Sequence, residues 1–424
     1  VLKKLATVAS LLRDQPHHLL KRLPGTDGLL IRRARRRLGR TPPPPPVAGR
    51  TRQILVDISR LHQQDAGTGI QRVVRALLNE MRAAPPPGFV IRTIAGTRYR
   101  PYRYVDTAEV GGGERISVGP GDIFLGLDLS AHVIPRHHRQ LIGWKRQGVS
   151  IAVIAYDILA LRHPEWFSPR LAEAIRRWTR SLAILADQVI CISAAVEEDF
   201  RDWLQNTYGM GRDMPATGFI PLGADISAST PSRGLPEGFD ALCARIADRP
   251  SLLMVGTLEP RKGHAQVLAA FDLLWQQQQE LGLIIVGRPG WKTEQLQAAL
   301  RSHAELGRRL FWLDNASDEA LEHLYSACHG VIVASLGEGF GLPLTEALKH
   351  GKPVLARNLP VFRPHAQPGL TFFEAGTAET LAETIRNWSG GAAAIAPETG
   401  RQTHVFDWRD SYESLKKHIL PQEP

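Results

Sequence analysis

The stretch SLGEGFGLPLTEALKHGKPV, Ser335–Val354, decides the reading of the fold. It continues from HGVIVAS (His329–Ser335), a short apolar run that reads as a buried strand. Gly337, Gly339 and Gly341 then form a loop that a ligand can approach without side-chain obstruction. Pro343 suits the first turn of a helix, where its missing N–H costs nothing. Glu346 falls inside that turn or just past it. The unsatisfied N–H groups of a helix start attract anions. A strand, a glycine turn and a helix start make a corner that binds phosphate and sugar at the carboxyl edge of a parallel sheet. Two carboxylates beside it, Glu338 and Glu346, can each accept a pair of hydroxyl hydrogen bonds, which suits a nucleotide sugar.

Further blocks extend this reading outward. GTLEPRKGH (Gly256–His264) is a second strand-to-helix turn, with Arg261 and Lys262 at its end. DAGTGIQRVVRALL (Asp65–Leu78) is a glycine loop that opens a helix. AYDILALRHPEWF (Ala155–Phe167), ADQVICIS (Ala186–Ser193) and IPLGAD (Ile220–Asp225) lie between the two. The spacing E-x7-E, from Glu338 to Glu346, resembles the signature of the retaining glycosyltransferases of family 4, which have the GT-B fold. The other blocks are similar to that family's in kind and order, from about Ile54 to Leu415. The resemblance is to bacterial surface-polysaccharide and O-antigen members that transfer mannose or rhamnose.

Residue patterning agrees with an α/β fold. Apolar runs such as QILVDIS, FVIRTIA, SIAVIAYD and DQVICIS alternate with helical stretches, which argues for parallel sheets. Ile70, Val73, Val74, Leu77 and Leu78 give the stripe of a half-buried helix. The pattern restarts with SLLMVGT, LGLIIVGR, RLFWLDN, HGVIVAS and PVLAR. The expectation is GT-B: two facing Rossmann-like, doubly wound parallel-sheet domains with a cleft between them. The boundaries expected are an extension over 1–50, an acceptor domain over 51–226 and a connection over 227–248. A donor-nucleotide domain follows over 249–405, then a terminal helix over 406–424 that crosses back.

The charge is lopsided. The chain has a net charge of +10, yet residues 1–52 hold thirteen Lys and Arg against two Asp. The other 372 residues carry 39 basic and 40 acidic groups, so the body is about neutral. No aromatic residues interleave with the arginines of LLIRRARRRL (Leu29–Leu38), which argues against nucleic acid. Two readings of the basic end stand side by side. One is an interfacial segment on an anionic membrane surface, followed by the stiff spacer Pro42–Pro46. The other is a solvated tail. No run of eighteen apolar residues suggests a membrane-spanning helix, and the first 23 residues lack a signal-like apolar core. The expected location is cytoplasmic, with peripheral contact to the inner face of the membrane under the first reading. Cys191, Cys243 and Cys328 read as reduced thiols, and no Cys/His spacing suggests zinc.

Transfer from a nucleoside diphosphate sugar requires neutralisation of the departing diphosphate. No Asp-x-Asp occurs to hold a metal, so cations and helix amides must supply the charge. No metal and no cofactor are expected. The resemblance makes Arg261 and Lys262 the diphosphate clamp, Glu346 the ribose ligand and Glu338 the group beside the sugar ring. Gly339, Phe340, Gly341 and Leu342 would offer backbone N–H groups. Gly67, Thr68 and Gly69 would meet the diphosphate from the other domain, and Asn315 lies where the family binds the base. Asp157, at a strand end, is an acceptor-side candidate that reads equally as a turn cap. Its neighbour Tyr156 stands where many members have His. The expected reaction is metal-independent, retaining hexosyl transfer from a nucleoside diphosphate sugar, of the GDP-mannose or GDP-rhamnose type. The acceptor would be a lipid-linked saccharide. A noncatalytic sugar-nucleotide-binding homologue and an epimerase of the same fold are the alternatives.

Overall fold

The computed structural model describes residues 27–39, 44–45, 49–105, 113–374, 376–392 and 405–421. The helical pattern of residues 1–23 and most of Pro42–Pro46 lie outside the described residues. The chain forms two compact units. The first takes in described residues up to Arg162, then Pro169–Pro221 and 411–421; the second takes in His163–Ser168 and Leu222–Asp410.

The first unit runs α1 (Asp27–Gly39), β1 (Arg52–Asp57), α2 (Ser59–Gln63), α3 (Gly69–Ala83), β2 (Phe89–Ala95), β3 (Arg103–Tyr104) and β4 (Ile123–Gly126). It continues through α4 (His138–Arg146), β5 (Ser150–Ala155), α5 (Leu159–Arg162), α6 (Pro169–Leu185), β6 (Gln188–Cys191), α7 (Ala194–Tyr208) and β7 (Ala216–Phe219). The sheet order is β3-β2-β1-β4-β5-β6-β7. All pairs are parallel except β2 with β3. Helices cover both faces of such a sheet, so its inner strands are apolar throughout, as Ile123–Gly126 and Ile151–Ala155 are. On α3, Val73, Val74, Leu77 and Leu78 are buried, and Ile70 only partly.

Part of the basic end is a folded element of this unit. Helix α1 buries Ile31 and Ala34 and packs on α6 and α7. Arg32 donates to the carbonyls of Tyr208 and Gly209, at 2.7 and 2.6 Å. Arg35 donates to the carbonyl of Ala186 at 2.6 Å. These carbonyls lie at the C-terminal ends of α7 and α6, where acceptors lack intrahelical partners and positive charge is favoured. The run LLIRRARRRL is therefore neither a solvated tail nor wholly free for a membrane. Its inner arginines satisfy helix ends, because the helical period sets Ile31, Ala34 and Arg35 on one side. Just beyond, Arg50 forms a two-pronged ion pair with the fully buried Asp122, at 2.9 and 2.6 Å.

The second unit runs α8 (Phe239–Ala247), β8 (Ser251–Val255), α9 (His264–Gln276), β9 (Gly282–Val286), α10 (Glu294–Arg301), β10 (Leu310–Leu313) and α11 (Asp318–Ala327). Then come β11 (Gly330–Val333), α12 (Leu342–Lys349), β12 (Val354–Arg357), β13 (Leu370–Phe373) and α13 (Ala378–Ala392). The terminal helix α14 (Trp408–Ile419) begins in this unit and continues in the first. In the first unit its Tyr412 hydroxyl donates to the carbonyl of Ala84 at 2.9 Å. The second sheet is wholly parallel, with order β10-β9-β8-β11-β12-β13. Residues 227–248 are part of this unit: they include α8, which buries Phe239 and Ile246 and packs on α11.

Both sheets thus have the doubly wound order, in which strand order reverses at one point and the crevice there binds ligands. In the first sheet that point lies between β1 and β4. In the second it lies between β8 and β11.

Candidate active site

The second sheet's reversal point explains why two distant blocks meet. GTLEPRKGH leaves the carboxyl end of β8, and SLGEGFG leaves that of its neighbour β11. The chain after β8 makes a 3-10 turn, Pro260–Lys262, and enters α9 through Gly263. Gly263 has φ of +79°, and a Cβ there would lie 2.4 Å from the carbonyl oxygen of Ala334. Only glycine lets the loops approach this closely. Leu336 N–H donates to the carbonyl of Arg261 at 2.6 Å and joins them. Gly341 caps α12 with φ of +99°, and its missing Cβ leaves room for the ring of Phe362.

This joint brings Arg261, Lys262 and Glu338 into direct contact. Arg261 Nη1 donates to Glu338 Oε2 at 2.9 Å and to the carbonyl of Gly337 at 3.1 Å. Its Nε donates to Glu259 Oε2 at 2.8 Å. Lys262 Nζ donates to Glu338 Oε1 at 2.5 Å, and Ser335 Oγ donates to the same oxygen at 2.6 Å. The Glu338 side chain is only 8% exposed. Burial alone would raise its pKa, but Lys262 and Arg261 outweigh burial and hold it down to about 2. Glu338 is therefore ionised and fully engaged. Glu259 differs: burial pushes its carboxyl up despite Arg261 and Lys262.

Glu346 lies one helical stretch further on, on α12, and is 1% exposed. Its Oε2 accepts the hydroxyl of Tyr325 at 2.9 Å. Tyr325, on α11, stacks against His350 with ring centroids 5.0 Å apart. Sequence reasoning passed over Tyr325, since an aromatic on a helical stripe reads as core. Gly339, Phe340, Gly341 and Leu342 form the loop and first turn before Glu346, where helix geometry provides no intrahelical acceptors for the N–H groups. Phe340 is buried edge-on to His365. Asn315 is exposed just after β10, an edge strand two places from β8, and is apart from the Arg261–Glu338 contact.

Gly67, Thr68, Gly69 and Asp157 belong to the first unit. Thr68 caps α3 in a reciprocal box with Gln71. Gln71, buried and unsuspected from sequence, also accepts from Ala66 N–H at 2.8 Å and donates to the carbonyl of Gln64 at 2.6 Å. Asp157 Oδ1 accepts from Leu159 N–H at 3.0 Å, which is the turn-capping geometry. The Tyr156 hydroxyl is buried and donates to the carbonyl of Leu127 at 2.8 Å. It takes a structural place where many members of the resembling family carry His. In the second unit His163 stacks on Trp166 at 4.0 Å.

The first sheet's reversal point holds a pair that sequence reasoning missed. Asp57 ends β1 and Asp128 follows β4, each in an Asp-x-Ser. Both are buried. Asp57 accepts the Ser59 hydroxyl at 2.5 Å, Ser59 N–H at 2.9 Å and the Tyr102 hydroxyl at 2.9 Å. Burial, with the charge of Asp128 as a further cause, raises Asp57 to about 6. Asp128 Oδ2 accepts Leu61 N–H at 2.7 Å, and burial raises its pKa too. Together they fix the start of the loop that leads to Gly67.

Residues 244–391 match the family described as Glycosyl transferases group 1. Over 378 residues, 87% of this chain, the sequence is 38% identical to the serotype-specific mannosyltransferase WbdA of Escherichia coli, and that match covers 45% of WbdA. It is 37% identical over 111 residues to O-antigen chain mannosyltransferase B of Escherichia coli, 25% of this chain and 28% of that protein. The chain thus spans about half the length of the WbdA proteins it matches. Among solved structures, Anabaena Alr3699/HepE in complex with UDP-glucose superposes with a TM-score of 0.56 at 17% identity, over 87% of this chain and 95% of that one. The α,α-trehalose 6-phosphate synthase of Burkholderia multivorans gives 0.58 at 12% identity, over 87% and 98%. These likenesses are of fold, two Rossmann-like domains of the GT-B type. The chain therefore carries a domain of the glycosyl transferases group 1 family, matched over residues 244–391 and set in its second unit.

Proposed function

We propose that the protein moves a hexose from a nucleoside diphosphate sugar to a saccharide in surface-polysaccharide synthesis, with retention and without a metal. The observation that carries this reading is the meeting of Arg261, Lys262 and ionised Glu338 at the β8–β11 reversal point. Two cations there suit a diphosphate leaving group, and the N–H groups opening α12 add to them. Glu338 keeps both cations in place and adjoins the position of the sugar ring. Glu346 meets the ribose hydroxyls, with Tyr325 fixing its carboxylate. In the transfer, the bond from the anomeric carbon to the phosphate oxygen breaks as the acceptor oxygen attacks from the same face. The departing phosphate oxygen takes the acceptor's proton, so no dedicated protein base is needed.

The mannosyltransferase names of WbdA and its relatives favour a GDP-mannose type of donor. The acceptor in this reading is a lipid-linked saccharide at the cytoplasmic face of a membrane. None of the described helices is long and apolar enough to cross one, so contact in this reading is peripheral. A thermal-shift screen against UDP, GDP, ADP and dTDP, followed by mass spectrometry of products with the matching sugars, tests the proposal. GDP should raise the melting temperature most. No shift with any of the four would overturn it.

A further inference from the structure

The first sheet carries a second charged feature at its carboxyl edge. Arg60 lies on α2, directly after β1, and Arg98 lies in the loop after β2. His132 follows β4, and Arg170 opens α6, the long helix after β5. The four strands are consecutive neighbours in the order β2-β1-β4-β5. Their loops are bound to one another. Gly96 N–H donates to Ser59 Oγ at 2.9 Å, and Leu61 N–H donates to Asp128 at 2.7 Å. Gly96 lies so close to Val133 that an added Cβ would be 3.0 Å from its side chain. His137 ties its ring to the carbonyl of Thr97 at 2.7 Å, and α6 packs on the turn at Ile134–Arg136. Residues 60, 98 and 132 are thus each within two positions of an interlocked contact, and α6 brings Arg170 and Arg177 to the same place.

Arg60, Arg98, His132 and Arg170 are all exposed. Among the described residues, Arg60, Arg98 and Arg170 form no ion pair, whereas Arg177 is held by Glu173 at 2.8 Å. Asp128 is buried and interacts electrostatically with Arg60, which offsets part of that one charge. The first turn of α6 contains no acidic residue, so its positive end adds to the field. The concentration is felt at His132, whose ring is partly shielded by the surrounding loops though the residue reaches solvent: that shielding and then the charges of Arg60, Arg170, Arg98 and Arg177 lower its pKa. Like charges gathered on separate loops cost stability unless an anion offsets them, and guanidinium groups converging from several directions match phosphate oxygens.

We propose that Arg60, Arg98, His132 and Arg170 form an anion site that takes a phosphate or diphosphate group, carried on a small soluble molecule or on a lipid headgroup. The site is separate from the donor clamp of the second unit and does not depend on that reading. The experiment uses the full chain, wild type, as the double variant R98Q/R170Q and as K262A. Both arginines of the double variant are exposed, so it should fold normally by circular dichroism. Inorganic pyrophosphate is titrated into each by calorimetry. Co-sedimentation uses phosphatidylglycerol vesicles against phosphatidylcholine vesicles.

In the wild type pyrophosphate should bind at two places. R98Q/R170Q should lose one, with affinity there falling roughly tenfold or more, the loss when charge-assisted bonds are removed. K262A should keep that one and lose the other. If the natural ligand is a lipid headgroup, R98Q/R170Q should also release phosphatidylglycerol vesicles, and wild-type binding should fade with salt. If it is a soluble phosphate, vesicle binding should be the same in both proteins while pyrophosphate binding falls. Wild-type behaviour of R98Q/R170Q toward both pyrophosphate and vesicles would overturn the proposal. Loss of donor binding in K262A alone bears on the transferase reading only.

Discussion

Lys262 Nζ stands 2.5 Å from Glu338 Oε1, so a cation suited to a departing phosphate is already neutralised by a carboxylate of the same site. In the proposed transfer an incoming diphosphate would share the lysine with Glu338, and the lysine would serve structure as well as chemistry. Lys262→Ala should lower turnover by roughly two orders of magnitude, the usual loss of one preorganised charge donor. It should also lower the melting temperature, because breaking a buried pair strands the other charge. The double variant Lys262→Ala with Glu338→Gln should recover the melting temperature but not turnover. Recovery of both would remove Lys262 from the reaction.

Tyr325→Phe takes one hydrogen bond from Glu346. The affinity for free nucleoside diphosphate should fall several-fold, in line with a bond worth about 1 kcal/mol. Glu346→Ala should weaken it further, and Glu338→Ala should act mainly on turnover. Calorimetry with GDP separates these, and unchanged affinity in Glu346→Ala would sink the ribose role.

Asp57 gives a pH signature of its own. Its pKa is raised from 3.8 to about 6 in the folded protein. Folding therefore favours the protonated form. Stability from this group is complete below pH 3.8 and is lost as pH rises through 6, by about 3 kcal/mol in all. Asp57→Asn should flatten that part of the curve. Urea unfolding at pH 5 and pH 7.5 measures the difference in slope, and equal slopes in the two proteins would refute the burial effect.

Removal of residues 1–50 should lower the melting temperature. It strips the buried Ile31, the arginines on the ends of α6 and α7, and the partner of Asp122. A loss of more than about 3 kcal/mol is expected from these together. Denaturant unfolding of the truncated and the full chain gives the comparison.

Chelation offers a simple check on the charge argument. With no Asp-x-Asp in the sequence, transfer should continue in excess EDTA. Activity lost on chelation and restored by magnesium or manganese would mean that the cations do not suffice.

The corner at the β8–β11 reversal point was legible because glycines, a helix-start proline and like-spaced charges are rare together, and each has a local physical reason. The strands after which they sit were legible as apolar runs. The short strands β3 and β13 were not, since two to four residues carry no periodicity. Helix α1 was hidden because a run of arginines looks solvated until their acceptor carbonyls, far along the chain, are known. Asp57 and Asp128 were hidden for a similar reason. An aspartate at a strand end usually caps a turn, and only β1–β4 adjacency turns two such residues into a buried pair. Likewise the spacing of Glu338 and Glu346 carried a resemblance to a family signature, but the engagement of Glu338 by both cations at once could not be read from it.

The segment His163–Ser168 interrupts the first half of the chain yet lies in the second unit. There Trp291 Nε1 donates to the carbonyl of Trp166 at 2.8 Å, and Lys292 Nζ donates to those of Glu165 and Phe167 at 2.7 and 2.9 Å. A recombinant fragment that begins at Leu222 would therefore be incomplete. It would present the indole of Trp291 and the ammonium of Lys292 with none of these acceptors. Adding the hexapeptide His163–Ser168 in trans, or splicing it ahead of residue 222, is the route to a well-behaved second half for crystallisation or ligand screening.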